Sequence, residues 1–69
     1  MKRQSSLINN VEAKRRHCGL TQEELAGRVD VTRQTIIAIE KGNYVPSVLL
    51  ALRLAKAFEV KLEEIFYEA

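Results

Sequence analysis

The sequence predicts an all-α fold, a compact bundle of about five short helices that form one domain. Helix-forming residues dominate a composition that holds one proline, three glycines and no tryptophan. Three residues of the type that begins helices, Thr21, Thr32 and Ser47, each precede a run with apolar side chains at helical spacing. A chain of 69 residues buries a modest core, so a second domain is not expected.

The first eight residues are expected to be an arm, and residues 9–69 the domain itself. Residues 1–6 are polar apart from Met1 and carry Lys2 and Arg3, a composition typical of a frayed terminus. Leu7 and Ile8 are the apolar end of this arm. They are expected to pack onto the first helix or to form a short extended piece against the C-terminus.

The first helix is predicted from about Asn10 to Cys18, with Gly19 as its C-terminal cap. Asn9 and Glu12 have the spacing of a capping box, which supports this start. A helix that begins earlier, with Ser6 as its cap, is the competing interpretation.

Residues 21–42 predict two short helices joined by a tight turn. Thr21 and Glu24 form a capping box for the second helix, and Thr32 caps the third. Asp30 interrupts the periodicity between them, and Gly42 stands where a left-handed residue ends a helix. The inward positions of both helices are apolar: Leu25, Ala26, Val29, Ile36 and Ile39. The opposite face of the third helix has no carboxylate in its first two turns and carries Arg33, Gln34, Ile37, Ala38 and Lys41.

This pattern resembles the helix-turn-helix of the phage repressor and Cro type, the XRE family of transcription regulators, whose fold is that of lambda repressor. The resemblance extends from about Asn10 to Phe66. Ala26 matches the small residue at which the family's two helices cross. Asp30 departs from the family's usual glycine at a position with positive φ, which aspartate tolerates better than most residues.

Arg15 lies on the core-facing side of the first helix together with Val11 and Cys18. In the resembled family, the arginine at this position pairs with the glutamate that ends the recognition helix. The resemblance therefore implies a structural ion pair between Arg15 and Glu40, and the alternative is that both side chains are solvated.

A fourth helix is predicted over about Val48 to Phe58, and a short fifth helix from the spacing of Val60, Leu62, Ile65 and Phe66. Glu59 and Lys61 replace the family's usual glycine and serine at this boundary. The expected core face of the fourth helix is Val48, Ala51, Leu52, Ala55 and Phe58. Apolar residues beyond that face indicate contact with a second subunit. The expected dimer interface is Leu49, Leu50, Leu54, Phe66 and Tyr67.

Composition argues against enzymatic chemistry. His17 and Cys18 are adjacent, but the chain has no other histidine or cysteine, whereas a metal site needs three or four ligands. We expect no catalytic residue, no metal and no cofactor. The single cysteine and the absence of a membrane-spanning run predict a cytoplasmic protein with no membrane partner.

The charge distribution and the resemblance together predict a sequence-specific regulator that binds double-stranded DNA. Residues 1–41 carry eight basic and five acidic groups, a net of +3, whereas residues 42–69 carry three and four, a net of −1. The third helix, about residues 32–41, is expected to read bases with Arg33, Gln34, Ile37 and Ala38. The expected phosphate contacts are Gln22, Thr32, Thr35, Lys41 and Asn43.

The protein is expected to be a homodimeric repressor on a pseudo-palindromic operator, since one small module makes too few contacts alone. A DNA contact by the basic N-terminal arm stays open. The rival hypothesis is an antitoxin or protein-interaction module with the same fold, which would bind a protein partner through the apolar surface.

Overall fold

A computed structural model describes residues 7–69, in which four α-helices and a two-stranded sheet surround one core. The predicted arm residues Lys2 and Arg3 lie outside the described residues. The elements in chain order are β1 Leu7–Asn9, α1 Val11–His17, α2 Gln22–Val29, α3 Arg33–Glu40, α4 Val48–Phe58, a 3-10 turn Leu62–Glu64, and β2 Phe66–Glu68.

The sheet corrects the predicted all-α class with five helices. β1 and β2 pair antiparallel, so that Ile8 lies opposite Tyr67 and Asn9 opposite Phe66. Leu7 and Ile8 therefore belong to a strand rather than to an arm, in agreement with the extended alternative. The predicted fifth helix is a single 3-10 turn, and the chain is extended again at Phe66. The prediction was wrong here because strand pairing between distant segments leaves no local periodicity.

Side-chain caps begin three of the four helices. The Thr21 hydroxyl accepts a hydrogen bond from the Glu24 backbone N–H, and the Glu24 carboxylate accepts one from Thr21 N–H, which completes the predicted capping box. The backbone hydrogen bond from Thr21 holds the pKa of Glu24 below its ordinary value. Thr32 and Ser47 cap α3 and α4 in the same way, through their hydroxyls.

The predicted capping box of α1 is not formed. Asn10 occupies the N-cap position without a side-chain hydrogen bond, and Glu12 pairs instead with Arg16, 2.9 Å away. Asn9 has a different role, because its Oδ1 accepts a hydrogen bond from Val11 N–H while its Nδ2 donates to the Ile39 carbonyl. Asn9 thus connects β1, the start of α1 and the last turn of α3.

Left-handed residues follow the ends of α2, α3 and α4. Asp30 has φ 63° and Glu59 has φ 58°, although neither is a glycine. Gly42 follows α3 with φ 79°, and the backbone N–H groups of Gly42 and Asn43 bond to the carbonyls of Ile39 and Ala38. These bonds satisfy the last carbonyls of α3 and direct the chain away from the helix axis.

The core combines one face from each helix with Ile65. Its fully buried members include Val11, Leu25, Ile36 and Leu54. In α4, the buried face is Leu50, Ala51, Leu54, Ala55 and Phe58, whereas Val48, Leu49 and Leu52 are exposed. The predicted core face was therefore rotated about the helix axis from the observed one. No helix within residues 7–69 is long and apolar enough to cross a membrane.

Candidate nucleic-acid interface

The outward face of α3 is a mixed basic and amide surface. Arg33 and Gln34 are exposed on its first turn, while Ile37 and Ala38 are partly exposed one turn later. Lys41 follows as the exposed C-cap. Because the spacing is helical, Arg33, Gln34, Ile37 and Lys41 lie along one side, opposite the buried Ile36 and Ile39.

Glu40, the single acidic residue of α3, is turned away from this surface. Its Oε2 accepts a hydrogen bond from Arg15 Nε at 2.7 Å, and its Oε1 accepts from the second nitrogen of the fork at 3.3 Å. The two side chains are only 10% and 5% exposed. The hydrogen bond with Glu40 raises the pKa of Arg15 above its ordinary value, so the guanidinium stays charged. The family resemblance implied this pair, which keeps the negative charge of Glu40 off the outward face.

The phosphate candidates lie at the ends of α2 and α3. Gln22 is the first residue of α2, and Thr32 immediately precedes α3. The Thr32 hydroxyl accepts from Thr35 N–H at 3.4 Å and lies 3.3 Å from the Thr35 hydroxyl. Lys41 and Asn43 are exposed after the last turn of α3.

One contact at this surface was not predicted. The Gln22 amide nitrogen donates to Glu40 Oε1 at 3.1 Å, which joins the start of α2 to the end of α3. The sequence carried no signal for it, because the contact depends on the crossing of two helices and not on spacing along either.

The predicted dimer residues divide into buried and exposed groups. Leu54 is fully buried and Leu50 nearly so, and both belong to the core of the monomer, so neither is available to a partner. Phe66 is half-buried against the core, whereas Leu49 and Tyr67 are exposed. Two further apolar side chains of α4, Val48 and Leu52, share the exposed side with Leu49.

A second basic surface lies between α2 and α4. Arg28, Arg53 and Lys56 line a shallow groove there, together with Asp30. These side chains are exposed and belong to other helices than α3. Across the described part of the chain, no group of histidine, cysteine, aspartate or glutamate side chains has a geometry that could hold a metal ion.

Comparison with known proteins agrees with this geometry. The sequence model of the helix-turn-helix family matches residues 11–65. The HTH-type transcriptional regulator YgzD of Bacillus subtilis (strain 168) is 54% identical over 59 residues, which cover 86% of this chain and 89% of the relative. A regulator of the same type from Methanothermobacter thermautotrophicus is 62% identical over 53 residues, which cover 75% of this chain and 77% of the relative.

Two solved structures share the fold. The restriction-modification controller protein C.AhdI of Aeromonas hydrophila aligns with a TM-score of 0.75 and 29% identity, over 80% of this chain and 83% of that one. The clp gene regulator ClgR of Corynebacterium glutamicum aligns with a TM-score of 0.74 and 22% identity, over 78% of this chain and 57% of that one. This second likeness concerns the fold alone.

The chain belongs to the helix-turn-helix family of the XRE type, whose members are DNA-binding transcriptional regulators. α2 and α3 are the two helices of the motif, and residues 30–32 form its turn.

Proposed function

We propose that the protein is a homodimeric repressor that reads a pseudo-palindromic operator through α3. The outward face of α3 carries this proposal, because it combines two side chains that can fork onto base edges with a basic end and no exposed carboxylate. An α-helix fits the major groove of duplex DNA, and residues near its N-terminal end reach the base edges.

Base readout would come from the first two turns of α3. The Arg33 guanidinium can donate two N–H groups to O6 and N7 of guanine. The Gln34 amide can donate to N7 of adenine and accept from its N6 amino group. Ile37 would contact a thymine methyl group, and the small Ala38 would let the helix approach closely.

Phosphate contacts would fix the position of α3 in the groove. Gln22 and Thr32 stand at the starts of α2 and α3, where backbone N–H groups that are not used within the helix favour an anion. Thr35, Lys41 and Asn43 are the further candidates. Such contacts add affinity for any duplex and leave base preference to Arg33 and Gln34.

Dimerisation would use the exposed apolar side chains of the C-terminal half. Three of the predicted interface residues are at least partly accessible to a partner, namely Leu49, Phe66 and Tyr67. The exposed Val48 and Leu52 extend the apolar surface around Leu49. A two-fold axis in this half would leave α3 of each copy free. The two recognition helices would then lie about 34 Å apart, one turn of duplex. Bound at a promoter, the dimer would repress by excluding polymerase.

Competition binding with a preferred duplex and scrambled duplexes tests base readout. Arg33→Ala and Gln34→Ala should each cost about 1–3 kcal/mol on the preferred site and relax preference at one base position. Lys41→Ala should weaken binding to all duplexes similarly and reduce the salt dependence. Arg53→Ala and Lys56→Ala are the matched controls, since they remove the same charges from exposed positions outside α3.

Unchanged base preference in Arg33→Ala and Gln34→Ala would contradict the assignment of α3 as the reading helix. Equal losses in Arg33→Ala and Arg53→Ala would show that only overall charge matters. Binding to no duplex at low salt, together with a salt-tolerant protein complex, would instead support the interaction module.

A further inference from the structure

We infer that Glu40 is a positioning residue for DNA binding, because its carboxylate orients the Gln22 amide towards the phosphate backbone. Glu40 itself would not touch DNA. This inference rests on the proposed function and assigns the Arg15–Glu40 pair a second role beside stability.

The three side chains form one connected network. Glu40 Oε2 accepts from Arg15 Nε at 2.7 Å, and Glu40 Oε1 accepts both from Arg15 at 3.3 Å and from Gln22 Nε2 at 3.1 Å. Arg15 also donates to the Leu20 carbonyl at 2.9 Å, in the segment that precedes α2. The network therefore links α1, the connection before α2, the first residue of α2 and the last residue of α3.

Chemistry dictates which way the Gln22 amide points. An ionised carboxylate can only accept hydrogen bonds, so the amide nitrogen and not the amide oxygen must face Glu40. A primary amide carries two N–H groups, and the second remains available to a phosphate oxygen. Gln22 is only partly buried and begins α2, where backbone N–H groups also favour an anion.

Arg15 makes the acceptor rigid. Two nitrogens of the planar guanidinium donate to the two Glu40 carboxylate oxygens, and the third donates to the Leu20 carbonyl. Neither side chain can therefore rotate without breaking several hydrogen bonds. The side chains of the pair are 10% and 5% exposed, which leaves little space for an alternative rotamer. The orientation of Gln22 is thus set by a buried pair in the protein before DNA arrives.

Such preorganisation raises the affinity for DNA, because the entropy cost of ordering the Gln22 side chain is incurred on folding and not on binding. Replacing the pair with apolar residues removes the acceptor. Gln22 would then sample several rotamers in the free protein, and part of its contribution to DNA affinity would be lost.

The test is a double-mutant cycle on the preferred duplex, at a temperature where circular dichroism shows every variant folded. The proteins are the native chain, Gln22→Ala, the pair variant Arg15→Met/Glu40→Leu, and the combination of all three changes. Gln22→Ala in the native chain should weaken binding about tenfold, the effect of one hydrogen bond to a charged group. In the pair variant, Gln22→Ala should weaken binding by less than about threefold.

Gln34→Ala is the matched control, since Gln34 is an exposed glutamine of α3 that does not contact Glu40. Its effect on affinity should be equal in both backgrounds. The lost affinity of Gln22→Ala should be uniform across duplex sequences, because a phosphate contact carries no base preference. The side-chain amide protons of Gln22 should also move towards free-glutamine chemical shifts in the pair variant.

Equal losses from Gln22→Ala in both backgrounds would overturn the inference, as would Gln22 amide shifts that do not respond to the pair variant. These results would leave the proposed function intact, since the native chain would still bind the preferred duplex. A native chain that prefers no duplex would instead overturn the proposed function and this inference together.

Discussion

Asp30 and Glu59 adopt left-handed backbone at positions where the resembled family usually has glycine. The strain was predictable for Asp30, because the turn between two periodic helices requires one such residue there. The conformation of Glu59 was not predictable in this way, since neither Glu59 nor Lys61 is a residue that typically marks a helix boundary. Both residues have the same role in the structure, since each follows the end of a helix with φ near 60°. Two helices of this chain therefore end at a left-handed residue that is not glycine.

The family resemblance predicted the pair of Arg15 and Glu40, and the alternative was that both side chains are solvated. Their burial has a consequence for stability. Glu40→Ala leaves Arg15 charged and desolvated, which should lower the free energy of unfolding by about 3–5 kcal/mol. Arg15→Met/Glu40→Leu should recover much of that loss, because it leaves no unpaired charge.

Urea unfolding curves measure this effect. Arg16→Met is a suitable control, because Arg16 forms an exposed i,i+4 pair with Glu12 that should contribute well under about 1 kcal/mol. A Glu40→Ala midpoint equal to that of the native chain would mean that solvent reaches the pair in solution.

At the scale of the element, the starts of α2, α3 and α4 were predictable because their signals are local. Thr21, Thr32 and Ser47 lie directly before the helices that they cap. The sheet was not predictable from periodicity, because Leu7–Asn9 and Phe66–Glu68 are at opposite ends of the described chain. The core face of α4 was also misassigned, because apolar residues occupy most of its positions and packing alone selects the buried ones.

Asn9 is the residue that connects the sheet to the helices, and its removal should be costly. Asn9→Ala removes the side-chain hydrogen bonds to the Ile39 carbonyl and to the Val11 N–H, and should lower the free energy of unfolding by about 1–3 kcal/mol. Asn10→Ala is a matched control, since the Asn10 side chain donates a single exposed hydrogen bond, to the Glu64 carbonyl. Equal urea midpoints for the two variants would show that Asn9 does not connect the elements in solution.

At the scale of the whole molecule, the exposed apolar surface predicts self-association. Sedimentation at micromolar concentration should give a dimer. Leu49→Glu or Tyr67→Glu should shift it to monomer, because a charge in an apolar interface is desolvated without a partner. Gln34→Glu adds the same charge to the outward face of α3, which the proposed dimer leaves free, and should leave the dimer intact.

A native chain that sediments as a monomer, both alone and on DNA, would contradict the dimer. A dimer unaffected by either glutamate would place the interface elsewhere on the molecule.

Much of the candidate interface could be predicted from sequence, because the outward residues of α3 follow from helical spacing once Thr32 is recognised as its cap. The contact between Gln22 and Glu40 could not, since it depends on how α2 and α3 cross. Burial of Leu50 and Leu54 likewise depends on tertiary packing. Both features depend on contacts between elements, which the spacing of residues within a single element does not predict.

Selection of bound fragments from a random duplex library tests the central claim most directly, namely that α3 of each subunit of a dimer reads bases. The native protein should enrich a pseudo-palindromic site whose half-sites are about one helical turn apart. The same selection with Arg33→Ala should lose preference at one equivalent position in each half-site. Enrichment of no common sequence, of a site without internal symmetry, or of the same site by Arg33→Ala would contradict the account.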